Sequence, residues 1–185
     1  MAADTREAMR QAGVLKGDPE APVTIYEFAD YQCPACRRFY QTLAELEADY
    51  IKSGKLNHVF IDFPLTAPHP NARRAAIAAR CAGRQGAYWR MHDALFQRQP
   101  RWSQSSEPER EFSDYVETVG LDGEVFAQCL DSDTAAEAVD NARATGQRLG
   151  VAATPTVIVG DRVLDEAPRS SSKLRQIIEA QLRNR

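Results

Sequence analysis

The 185-residue chain reads as an α/β domain whose sheet is interrupted by an all-helical insertion. Three observations predict this. β-Branched runs occur near both ends of the chain, an amphipathic helix joins the first two of them, and everything between the second and third runs has helical periodicity. With 43% hydrophobic and 26% charged residues, the chain is long enough for one sizeable core and short for two full domains. The net charge of −3 argues against a basic nucleic-acid binder, and no nucleic-acid partner is expected. No window approaches the roughly 18 apolar residues of a membrane span.

Thr5 to Leu15 reads as a short helix ended by Gly13 or Gly17, and Asp18-Pro19-Glu20-Ala21-Pro22 as a rigid linker. Val23 to Phe28 is a strand buried on both faces apart from Glu27. Beyond Pro34, Phe39, Leu43, Leu46 and Tyr50 fall on one helix face, and Ser53-Gly54 stops that helix. Leu56 to Phe63 is a second strand. A helical crossover between two strands implies that they are parallel.

Helical faces then follow from His69 to Leu149, broken by a polar loop between Pro100 and Pro108. Thr156–Val159 and Arg162–Leu164, split by Gly160-Asp161, read as a hairpin. A last helix runs from Lys173 to Arg183. The organisation is thus an N-terminal helix and linker (1–20), an α/β core (21–66 plus 150–185) and an inserted helical subdomain (67–149).

The most informative residues are Cys33-Pro34-Ala35-Cys36, at the junction of the first strand and its helix. Pro34 suits the first helical position, where its missing N–H costs nothing. Cys33 then occupies the cap, facing unpaired amides and the positive end of the helix dipole. Both favour thiolate over thiol. Cys36, one turn on, is placed to close a small disulfide ring. Cys33 is therefore the exposed, attacking sulfur and Cys36 the resolving one. A structural zinc site would want four ligands, but Cys81 and Cys129 are solitary and His58, His69 and His92 lack paired spacing. No metal or other cofactor is expected. The non-enzymatic alternative is a metal-binding or chaperone-like module using the Cys-x-x-Cys as ligands.

A second feature is Gly150-Val151-Ala152-Ala153-Thr154-Pro155-Thr156-Val157. A proline directly before a buried strand is awkward unless the Thr154–Pro155 bond is cis.

These features together resemble the DsbA-like thiol–disulfide oxidoreductases of bacteria, a thioredoxin fold interrupted by a helical subdomain. The resemblance rests on Glu27-Phe28-Ala29-Asp30-Tyr31-Gln32, the Cys-Pro-Ala-Cys motif, the helical insertion and the Thr154-Pro155 segment, and covers about Asp18 to the C-terminus. It implies Cys33 as nucleophile, Cys36 as resolving thiol, and Thr154 and Pro155 as the loop that holds a substrate strand. It implies Glu27 as a buried acid relaying protons to Cys36, with Asp62 a weaker competitor. Cys81 and Cys129 read either as buried free thiols or as a structural disulfide, and the resemblance favours the bridge, worth ~4 kcal/mol by chain entropy.

The implied function is introduction of disulfides into cysteine-containing client proteins, with a membrane redox partner resetting the active-site pair. Isomerase or reductase activity is the alternative within the fold. Where the best-known oxidase has Pro-His between its cysteines this chain has Pro34-Ala35, so Cys33 is expected to be less acidic and its disulfide less oxidising. The Thr154 hydroxyl is a further potential bond to sulfur. Met1 to Arg6 shows no secretory leader. That leaves a cytoplasmic protein, or a mature periplasmic or otherwise extracytoplasmic domain with a new initiator Met; a Cys81–Cys129 bridge would imply the second.

Overall fold

The computed structural model describes residues 1–184. Its sheet has five strands: β1 (Val14–Lys16), β2 (Val23–Ala29), β3 (Leu56–Asp62), β4 (Thr156–Val159) and β5 (Arg162–Val163), in the order β1-β3-β2-β4-β5. Only β2 and β3 are parallel, joined through helix α2 (Pro34–Ala44) and a π-helical turn over Glu47–Ile51. The other pairings are antiparallel.

The N-terminal segment differs from the sequence reading. Helix α1 (Ala3–Ala12) stops before Gly13, and Val14–Lys16 forms the edge strand β1 on β3, with Val14 opposite Phe60. A side chain at Gly13 would strike Val59 and the Phe60 carbonyl. The chain therefore leaves the helix at the one residue able to pass that close to the sheet.

Strand alternation builds two faces. Val23 and Ile25 of β2 and Leu56 of β3 pack with Phe39, Leu43, Leu174 and Ile178, beneath α2 and α9 (Ser171–Arg183). Tyr26, Phe28, Val59 and Ile61 pack with Met9 and Ala142. These belong to α1 and to α8 (Asp133–Arg148), which cover the opposite face.

Helices α3 (Ala72–Arg84), α4 (Tyr88–Gln97), α5 (Gln99–Trp102), α6 (Pro108–Thr118), α7 (Gly123–Leu130) and α8 lie between β3 and β4 in the chain. Their apolar cluster includes Ala78, Leu95, Trp102 and Phe126, and continues into Tyr31, Cys33, Cys36 and Phe60. The Cys33-Pro34-Ala35-Cys36 segment thus lies at the seam between sheet and helices. Cys81 of α3 and Cys129 of α7 are joined, S–S 2.04 Å across 48 residues. The segment after Pro100 is not the open polar loop its composition suggests. It starts inside α5, and Trp102 is fully buried, with Nε1 donating to the Leu95 carbonyl at 2.9 Å.

Candidate active site

Cys33 caps α2 with extended backbone, and Pro34 opens the helix. Cys33 is less open than the sequence suggests, at 6% exposure, whereas Cys36 has none. The two thiols are free. They are also unequal. A hydrogen bond from the Cys36 side chain is the largest influence on Cys33 and, against the opposing effect of burial, its pKa falls to about 5. The amides of Cys36 and Ala35 and the Thr154 side chain contribute further. The neighbouring thiol, rather than the helix amides alone, is therefore the chief stabiliser of the thiolate. Burial pushes the Cys36 thiol well above its ordinary value; donation to Cys33 and the negative charges of Cys33 and Glu27 act in the same direction.

The Thr154–Pro155 peptide is cis. Its backbone faces the first cysteine: the Cys33 thiol donates to the Thr154 carbonyl at 3.5 Å. The Thr154 hydroxyl is buried without another hydrogen-bond partner. Beside this contact lies a cleft of about 220 Å³ lined by Ala35, Arg38, Phe39, Pro155, Ala167 and Arg169. Its lining is mixed, apolar at Ala35, Phe39, Pro155 and Ala167 and charged at Arg38, Glu166 and Arg169. Arg37, by contrast, turns away from the sulfurs and donates Nε to the Phe96 carbonyl at 3.0 Å.

Glu27, in the middle of β2, is 2% exposed. Its parallel neighbour strand places His58 beside it, and the imidazole Nε2 lies 2.9 Å from Glu27 Oε2. Glu27 Oε1 is buried and unpartnered. A cavity of about 20 Å³, enough for one water molecule, is lined by Glu27 and His58 and bounded on its other sides by Lys16, Tyr40, Glu47 and Asp93. Asp62 is also buried, but Arg80 Nε lies 2.7 Å from its carboxylate. Glu27 is the acid whose charge acts on Cys36.

Sequence reasoning passed over the groups that hold the turn leading into Cys33. The Asp30 carboxylate accepts the Gln32 and Cys33 amides at 2.7 and 3.2 Å, the Leu65 amide at 2.9 Å, and bonds His69 Nδ1 at 2.8 Å. The Asp30 amide donates to Cys36 Sγ at 3.4 Å. Spacing alone carries part of that signal, because an Asp two and three residues before a turn's amides is a common local acceptor. Tyr31 is wedged among Phe60, His92 and Phe96, and its hydroxyl meets His92 Nδ1 at 3.0 Å. Burial holds His92 neutral, its pKa well below the ordinary value. Among the described residues no cluster of His, Cys, Asp and Glu could hold a metal ion, and no helix is long and apolar enough to cross a membrane.

A family model described as thioredoxin matches residues 10–180. Disulfide bond formation protein D of Bacillus subtilis is 27% identical over 180 residues, covering 92% of this chain and 80% of that protein. A Na(+)/H(+) antiporter, NhaA 3, of Salinispora tropica is 34% identical over 148 residues, 80% of this chain. The chain spans only 22% of that relative's length. Among solved structures, oxidised BdbD of Bacillus subtilis superposes with a TM-score of 0.82 at 26% identity, covering 93% of this chain and 94% of that one. A thioredoxin-like oxidoreductase from Silicibacter pomeroyi gives a TM-score of 0.78 at 26% identity, covering 100% and 99%. By this match over nearly its whole length the chain belongs to the thioredoxin family, and the proteins it resembles include a disulfide bond formation protein and a thioredoxin-like oxidoreductase.

Proposed function

We propose that the chain introduces disulfides into cysteine-containing client proteins outside the cytoplasm by exchanging its own Cys33–Cys36 bond. The observation that carries this reading is the inequality of the two sulfurs: Cys33 at about 5 and Cys36 far above it. A client thiolate attacks Cys33 Sγ, the Cys33–Cys36 bond breaks, and the electron pair leaves on Cys36. A second client thiolate then attacks the client sulfur of the mixed disulfide and expels Cys33 as a stable thiolate. The client loses two electrons and the Cys33–Cys36 pair gains them. A membrane redox partner takes them away and restores the disulfide.

Cys36 is a poor leaving group unless a proton meets it. On this reading Glu27 relays one to it, with His58 and the adjoining water-sized cavity as the route to solvent; the influence of Glu27 on Cys36 and its contact with His58 support the relay. The client lies extended along the Thr154–Pro155 backbone, its flanking residues in the cleft beside Arg38 and Arg169. The bridge between Cys81 and Cys129 supports an oxidising compartment.

Equilibration with glutathione tests the direction of flux. A potential toward the ~−120 mV of DsbA supports oxidation, whereas one near the ~−270 mV of thioredoxin assigns the chain to reduction or isomerisation. Cys33→Ala should abolish oxidation of a reduced peptide. Cys36→Ala, offered a disulfide-bonded client, should accumulate client mixed disulfides on Cys33.

A further inference from the structure

The turn that carries Cys33 is also held from the helical insertion. Gln99 opens α5, is 5% exposed, and commits its side-chain amide to main chain far away in sequence. Its Nε2 donates to the Tyr31 carbonyl at 2.7 Å and to the Cys33 carbonyl at 3.0 Å. The Cys33 carbonyl also accepts the Arg37 amide at 3.2 Å, a first-turn bond of α2. Gln99 therefore grips the peptide at which extended chain becomes helix.

Its surroundings keep it there. Trp102 anchors α5 from below through its bond to Leu95. The Ser103 carbonyl accepts Gln32 Nε2 at 2.6 Å, while Gln32 Oε1 accepts the Asn71 amide at 2.7 Å. Asn71 Nδ2 donates to the Ser105 carbonyl at 2.9 Å.

We propose that Gln99 is a positioning residue for the redox turn, holding the Cys33 peptide from the insertion so that Sγ stays aligned with the Cys36 thiol and the leading amides of α2. Gln99 touches neither sulfur. It acts through geometry, because hydrogen bonds to a charged acceptor are strong only when short and aligned. Without it two carbonyls at a buried turn lose a donor, and the peptide is free to rotate away from the helix axis. The inference rests on the thiolate role given to Cys33 above.

The test compares Gln99→Met and Trp102→Phe in the reduced full chain. The readouts are the Cys33 titration by ultraviolet thiolate absorbance, the equilibrium constant with glutathione, and thermal stability. Gln99→Met keeps the volume and adds no charge. It is expected to raise the Cys33 pKa by about one unit and to move the glutathione equilibrium about tenfold toward the protein disulfide. Trp102→Phe weakens the same helix without touching the redox turn; it should lower the melting temperature and move the other two readouts less than Gln99→Met does.

Wild-type titration in Gln99→Met, or an equal shift in Trp102→Phe, would overturn the proposal and make α5 a staple only. If Gln99→Met does not fold, Gln99→Asn serves instead: one methylene shorter, it reaches one carbonyl at most and must shift the same readouts in the same direction. A wild-type Cys33 that titrates like free cysteine would defeat the thiolate reading itself. Unmoved variants beside a wild type near 5 would defeat only the role of Gln99.

Discussion

At the scale of single residues, reactivity comes from the different surroundings of two identical side chains. A group whose folded pKa is depressed stabilises the fold above its unfolded pKa and loses that contribution as pH falls through the folded value. For Cys33 the window runs from about 5 up to the unfolded thiol value near ~8.5. The unfolding midpoint of the reduced protein, minus that of Cys33→Ser, should therefore grow as pH rises across this window and flatten above it. Cys36, shifted the other way, exerts its effect above the same unfolded value and does not blur the comparison. Glu27→Gln should leave the Cys33 titration in place but slow the step in which Cys36 leaves, by about 10²-fold or more in stopped-flow exchange. The placement of Cys33, Pro34 and Cys36 was legible because it is local: a cap, a helix start and one turn. His58, His69 and Gln99 were not, since their partners Glu27, Asp30 and Cys33 lie 31, 39 and 66 residues away.

At the scale of elements, the sheet's neighbours meet it through a few intolerant contacts. Helix α8 crosses the sheet at Gly146, where an added Cβ would lie 2.6 Å from Phe63 and 3.0 Å from Phe28. Gly146→Ala should cost about 1–3 kcal/mol in denaturant unfolding and push α8 off the sheet. Between β3 and α3, Asp62 is wholly buried and leans on Arg80. Arg80→Met strands that carboxylate, and its cost should be about 3–5 kcal/mol, falling when Asp62→Asn is added. Periodicity revealed β2, α2, β3 and α9, because each has a pattern as long as itself, and the Gly160-Asp161 turn between β-branched runs revealed the hairpin. It could not reveal β1 or α5. Three and four residues are too short to carry a period, and what makes them is tertiary: the Phe60 backbone for β1 and the pocket around Trp102 for α5.

At the scale of the whole molecule, the insertion and the sheet share one apolar cluster that runs through the redox motif. The bond between Cys81 and Cys129 closes a 48-residue separation inside that cluster and is almost fully enclosed, at 0% and 5% exposure. Its removal by a paired Cys81→Ala, Cys129→Ala change should lower stability by ~4 kcal/mol in chemical denaturation. Mild reductant acting on the native oxidised protein should release two titratable thiols rather than four, those of Cys33 and Cys36. The enclosure also bears on how the molecule is born. A fresh chain must acquire its internal bridge before the walls close over it, and the agent able to forge that bridge is, on the activity proposed, a finished sibling. Maturation would then be seeded: in a glutathione buffer, whose disulfide restores Cys33–Cys36 after each exchange, refolding of fully reduced chains should show a lag that a trace of oxidised protein abolishes.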